Sequence, residues 1–266
     1  MNQFSSNYFR WSGAIRSASF STLTLALAAC GGKGERLTAN ISAIGDSGVE
    51  VDACNPSATL ELGEYGNCLA DNSTTCATFE EGASPTGWFR YADKIATTGS
   101  FLGTGFPQQM GAEKHCGDGV YAYQMVSQGQ NVWGPQFGID NSFDASSWDG
   151  ITFWMRQGTD YPELSPIGSS VFVAMRDTNT MVGCNDNSNI DREKCDPYGW
   201  PISFDTTWRF FVLPFDDARQ RGYGVHEEEF LRTQIKKLTF AFDIGDGANG
   251  NWNVWVDDIK MFRFRK

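Results

Sequence analysis

The chain has 266 residues, 41% hydrophobic and 20% charged, which suits one large or two small packed domains and excludes wholesale disorder. Lys and Arg number 21 against 32 Asp and Glu, a formal charge of −11, so there is no basic excess to displace counterions from a phosphate backbone, and nucleic acid is excluded as a partner. Only His115 and His226 are present, which leaves little for a multi-His metal centre or a His-dependent triad.

Residues 1–29 carry Arg10 and Arg16, no acid, and a short apolar stretch from Leu23 to Ala29. A charged start, a short apolar run and small residues form an export signal, and the run is far too short to span a bilayer. Leu27-Ala28-Ala29-Cys30 resembles a bacterial lipobox. That resemblance implies cleavage before Cys30, a lipid on its sulfur and, with Gly31 and Gly32 following in place of an Asp, the outer membrane of a Gram-negative cell. The alternative is an ordinary signal peptide with an incidental Cys.

Beyond Cys30 the cysteines are Cys54, Cys68, Cys76, Cys116, Cys184 and Cys195. Six in an exported chain read as three disulfides, with fifteen conceivable pairings. Proximity in sequence favours Cys184–Cys195 and Cys54–Cys68, leaving Cys76–Cys116. A zinc reading is weak, since no C-x-x-C pair is present.

Residues 30–73 are rich in Gly, Ser, Asn, Thr and Asp, and Tyr65 is their sole aromatic. They read as a flexible tether with one small disulfide loop. From residue 74 to 266 the texture is that of a single β domain, with short aromatic or β-branched runs separated by Gly, Asn, Asp and Pro turns. The predicted strands are 75–80, 87–92, 119–125, 135–140, 149–156, 169–177, 198–204, 207–215, 235–243 and 252–264. Alternation places Ile151, Phe153 and Met155 on one face and Thr152, Trp154 and Arg156 on the other. One short helix is predicted near 226–233. About ten short strands imply an all-β, two-sheet sandwich, most simply a jelly roll.

The segment Phe143-Asp-Ala-Ser-Ser-Trp-Asp-Gly-Ile-Thr-Phe-Trp-Met-Arg156 resembles the corresponding stretch of galactose-binding-like β-sandwiches, namely the carbohydrate-binding-module-like lipoproteins of myxobacteria and their relatives. Asp177…Cys184…Cys195-Asp-Pro-Tyr-Gly199 is similar to that group's disulfide-closed loop. Trp208-Arg-Phe-Phe-Val-Leu-Pro-Phe215 and Trp252-Asn-Val-Trp-Val-Asp-Asp-Ile259 look like two of its strands. The resemblance covers roughly 74–266 and implies the sandwich fold. Its functional message is broad, because this fold serves glycan binding, enzyme accessory roles and protein assembly.

Asp257 and Asp258 are adjacent within the last strand, so one of them must face inward or sit at a bulge. In the resembled sandwiches the first and last strands often share a structural Ca²⁺. Glu80 or Glu81 would then partner Asp257 or Asp258; the alternative is an Asp accepting backbone N–H bonds at a bulge. The Asn185–Asp196 run mimics a Ca²⁺ loop but has Ile190 where the turn needs Gly, and 243–250 reads as a hairpin turn. His115 and His226 read as surface residues. No Gly-x-Ser-x-Gly or His-Glu-x-x-His occurs, so binding is expected rather than catalysis. The candidate ligand residues are Trp154, Arg156, Arg176, Asp177, Tyr198 and Trp200, expected to converge on a face where an indole stacks on a sugar ring. The first-choice ligand is a glycan; the alternatives are an envelope protein held in an assembly and, third, glycoside hydrolysis.

Overall fold

The alternation in 150–157 does what the sequence requires. Ile151, Phe153 and Met155 enter the main core, while Trp154 belongs to a second apolar cluster on the other face of the same strand. The computed structural model describes residues 51–65, 87–91, 100–102, 107–109, 115, 121–128, 136–159, 170–181, 196–222, 229–242 and 252–266. Among these are twelve strands: β1 Leu60–Glu64, β2 Trp88–Tyr91, β3 Ser100–Leu102, β4 Pro107–Gln109, β5 Tyr121–Gln128, β6 Gln136–Phe143, β7 Gly150–Gln157, β8 Ser170–Asp177, β9 Tyr198–Ser203, β10 Arg209–Pro214, β11 Ile235–Ala241 and β12 Trp252–Phe264.

The strands form two antiparallel sheets. Sheet A has the order β10-β7-β12-β5-β3, with β1 also on β12 and β4 on β5; sheet B has the order β2-β6-β11-β8-β9. The fold is the expected two-sheet sandwich. Between the sheets Phe137 stacks on Phe240 at 4.8 Å, and Phe153 of sheet A meets Phe240 of sheet B edge-on at 5.1 Å. Burying such rings supplies most of the drive to fold, about 25 cal/mol per Å² of apolar surface removed from water.

Several details depart from expectation. β1, β3 and β4 were not anticipated. Residues 51–65 belong to the sandwich and not to a tether, since β1 pairs with the second half of β12 and Val51, Ala53 and Leu60 pack against Trp154, Phe210 and Phe262. They cover the outer face of sheet A, which explains why every residue of β7 is buried although only alternate ones face the main core. In the described part of the expected helix, Arg232–Gln234 form a single 3₁₀ turn. Among the described residues the one α-helix is Thr178–Met181 (α1).

Cys54 is disulfide-bonded. Cys30, Cys68, Cys76, Cys116, Cys184, Cys195, Glu80, Glu81 and His226, together with the predicted strand 75–80 and the turn 243–250, lie outside the described residues. Among the described residues no helix is long and apolar enough to cross a membrane.

Candidate functional site

The six expected ligand residues fall into two groups on different sheets. Trp154 and Arg156 project together from the outer face of sheet A, as their spacing requires. They meet almost no solvent there, being 4% exposed each. The His115 imidazole stacks on Trp154 at 4.8 Å and 11° and touches the edge of Trp208 at 5.0 Å. The Arg156 guanidinium lies 5.3 Å from the rings of both Trp208 and Trp255. Beside it the Gln124 amide donates to Oδ1 of Asn253 at 3.0 Å. This is a buried aromatic and polar layer that fastens the covering segments to the sheet. His115, expected at the surface, is one of its central members.

Asp257 completes that layer. Its Oδ2 lies 2.7 Å from Nε2 of His115, and burial pushes its carboxyl up to about 7, the His115 hydrogen bond opposing the shift. Asp258 sits at the bulge, with φ of +49° and its N–H donating to Asp257 Oδ1 at 2.8 Å. The ladder with β7 slips between Asp257 and Lys260, which turns Val256 and Ile259 alike into the core. The bulge was legible from the paired acids. Glu80 and Glu81, the expected Ca²⁺ partners of these acids, lie outside the described residues; of the described donors, Asp257 is engaged by an imidazole and Asp258 reaches Lys260 Nζ at 3.5 Å. Among the described residues no group of three or more His, Cys, Asp or Glu could hold a metal ion.

The other four residues gather at one end of sheet B. Trp200 is fully buried between the sheets, its Nε1 donating to the Pro214 carbonyl at 2.9 Å. It therefore cannot stack on a ligand, and the expected single face formed with Trp154 does not exist: one indole points into the core from sheet B, the other away from the core on sheet A. Asp177, also fully buried, takes the N–H and hydroxyl of Thr180 on Oδ1 at 2.9 Å each and the N–H of Leu231 on Oδ2 at 2.8 Å. Arg176 donates to the Thr180 carbonyl at 3.2 Å. Both residues position backbone, and Asp177 is closed off from solvent.

What they position is an open cleft of about 470 Å³, within the size range of small-ligand sites. One wall is the turn after β10. There Phe215 N–H binds the Asp149 carbonyl at 2.8 Å, and Arg219 exchanges backbone hydrogen bonds with Gly199 at 2.9 and 3.1 Å. Buried Asp196 secures the same segment by accepting the N–H groups of Arg221 and Gly222. The second wall is 229–233, held by Asp177 and by the Arg232 carbonyl, which accepts the Ala145 N–H at 2.8 Å. The half-buried Phe230 ring makes the floor, 5.1 Å from buried Tyr198 and 5.7 Å, edge-on, from buried Phe215.

The rim is charged and balanced. Arg232 pairs with Asp216 and lies 5.4 Å over the Phe215 ring. Arg219 Nη1 donates to the carbonyls of Asp216 and Ala218 at 2.6 and 2.8 Å, and Glu229 completes the rim. Of the expected ligand residues, Tyr198 alone lines this cleft. Sequence reasoning missed Phe215, Asp216, Arg219, Glu229, Phe230 and Arg232. The available signal was the Phe-Asp-Asp-Ala-Arg turn directly after the recognised strand ending at Phe215, but a turn shows its composition and not what it faces.

No family model matches the chain, and no curated protein matches it. Among solved structures it is similar to carbohydrate-binding-module β-sandwiches. The family 11 module from Clostridium thermocellum, solved with a β-1,3-1,4-mixed-linked tetrasaccharide, matches at a TM-score of 0.43 and 15% identity over 76% of this chain and 95% of that one. The CBM22-2 xylan-binding domain of Paenibacillus barcinonensis Xyn10C matches at 0.34 and 11%, over 70% and 96%. An exo-β-agarase matches at 0.46 and 10%, over 71% of this chain and 24% of that one.

Proposed function

We propose that this protein binds a glycan non-catalytically, with the cleft between 215–219 and 229–233 as its site. The observation that carries the reading is an open, aromatic-floored cleft whose backbone is pinned on both walls and whose rim balances two Arg against two acids. Sugar rings combine an apolar face with a girdle of hydroxyls. A ring floor matches the first and the mixed donors and acceptors of Arg219, Arg232, Asp216 and Glu229 match the second. The balanced rim favours a neutral sugar. Pinned walls lower the ordering cost of binding.

The test is affinity electrophoresis of the purified chain in gels containing mixed-linkage β-glucan, xylan or agarose. Retardation by at least one supports the reading. Uniform mobility through all three, together with capture of an envelope protein, would favour the assembly role instead. The lipobox-like segment ending in Cys30 supports export and anchoring by a lipid, by inference at the outer membrane. Cys30→Ser should then move the protein from the membrane to the soluble fraction; unchanged partition contradicts the anchor.

A further inference from the structure

Both walls of the cleft are tied to one short turn. Residues 144–149 carry the chain from β6 in sheet B to β7 in sheet A. At the start of the turn the Ala145 N–H donates to the Arg232 carbonyl of one wall; at its end the Asp149 carbonyl accepts the Phe215 N–H of the other, both at 2.8 Å. Between these two bonds Ser146 lines the cleft. The turn is braced within itself: Asp144 Oδ1 accepts the Ser146 N–H at 2.8 Å, and the Ala145 carbonyl accepts the Trp148 N–H at 3.0 Å. It is also fastened to β12, where the Asp149 N–H donates to the Phe262 carbonyl at 2.8 Å and Asp149 Oδ2 accepts the Phe264 N–H at 2.9 Å. A turn bonded to both walls and to a central strand holds the walls at one separation.

Trp148 gives this turn its side-chain anchor. The half-buried indole packs against the main core and lies on Gly63 of β1, where a Cβ would come within 2.2 Å of Cη2 and 2.5 Å of Cζ2 of the ring. The glycine is what permits so close an approach. The Arg263 guanidinium lies 4.9 Å from the ring centroid and pairs with Glu61 of β1 at 2.6 Å. The ring is thus seated where β1 and β12 run side by side, Gly63 opposite Met261. Among the described residues, neither Trp148 nor any residue of β1 lines the cleft. The N-terminal strand therefore reaches the cleft through one indole and one turn.

We infer that Trp148 is a positioning residue for the cleft: seated on Gly63 of β1, it fixes the 144–149 turn, and the turn sets the separation of the two walls. This rests on the glycan reading above and adds what holds the site to its width. The test is affinity electrophoresis in gels of mixed-linkage β-glucan, xylan or agarose, using whichever retards the parent, with Tm measured for each variant. Gly63→Ala and Trp148→Ala should each lower affinity roughly fivefold or more. Combined, they should lower it no further than Trp148→Ala alone, because the added methyl then meets no ring. Asp144→Ala, which removes an exposed brace of the turn, should lower affinity several-fold while Tm hardly moves. Val254→Ala, in the core at the opposite end of the β7–β12 ladder, should lower Tm and leave affinity unchanged. Parental affinity in folded Gly63→Ala or Trp148→Ala protein, an additive loss in the double variant, or an equal loss in Val254→Ala overturns the inference while the glycan reading stands. If neither Gly63→Ala nor Trp148→Ala folds, Asp144→Ala decides, and parental affinity there overturns it equally. A parent that none of the three gels retards overturns the glycan reading, and this inference with it.

Discussion

Single residues carry the sharpest corrections. Trp200 is a core residue whose indole N–H is satisfied by Pro214, so Trp200→Ala should cost about 3–5 kcal/mol of stability, measured by urea unfolding. An unchanged unfolding midpoint would mean that the ring is not packed between the sheets. Asp257 makes a pH prediction. Its carboxyl titrates near 7 in the fold, because of burial first, against 3.8 unfolded. Between those values the folded state holds a proton that the unfolded state has lost, so this group's contribution to stability falls as pH rises from about 4 through 7 and then levels off. Asp257→Asn should therefore flatten the stability profile across that window relative to the parent. Parallel profiles for parent and variant contradict the assignment.

Elements were legible where alternation was strict. β7, β8 and β12 follow from period-two patterning, and the adjacent acids announced the bulge in β12. Alternation could not say which of two apolar faces turns to the core or whether the other is covered. Trp154 and Trp200 look alike in sequence yet sit in different layers. β1 was missed because Leu60-Glu-Leu-Gly-Glu64 reads as polar and flexible; its pairing partner lies some 200 residues away at Arg263 and Phe264. His115 was missed for a related reason, since its Asp257 partner is distant in sequence. Fully buried Leu60 tests the correction: Leu60→Ala should destabilise by about 2–5 kcal/mol, whereas a residue in a flexible tether would give no measurable change.

For the molecule as a whole, Val51, Ala53 and His115 cover the outer face of sheet A around Trp154 and Arg156, and the proposed cleft opens at one end of sheet B. The cleft draws on the turn after β10, on 229–233 and on Tyr198 of β9, segments that only the closed sandwich brings together. The fold could be read from a single sequence, and the site could not. Phe230 decides the matter, because its half-buried ring forms the cleft floor against Tyr198 and Phe215 at the margin of the core. The most direct measurement is the affinity of Phe230→Ala for the polysaccharide that retards the parent chain, taken alongside its Tm. The cleft reading predicts a loss of about 1–2 kcal/mol, roughly tenfold, with the sandwich still folded; undiminished affinity in a folded Phe230→Ala protein would contradict it.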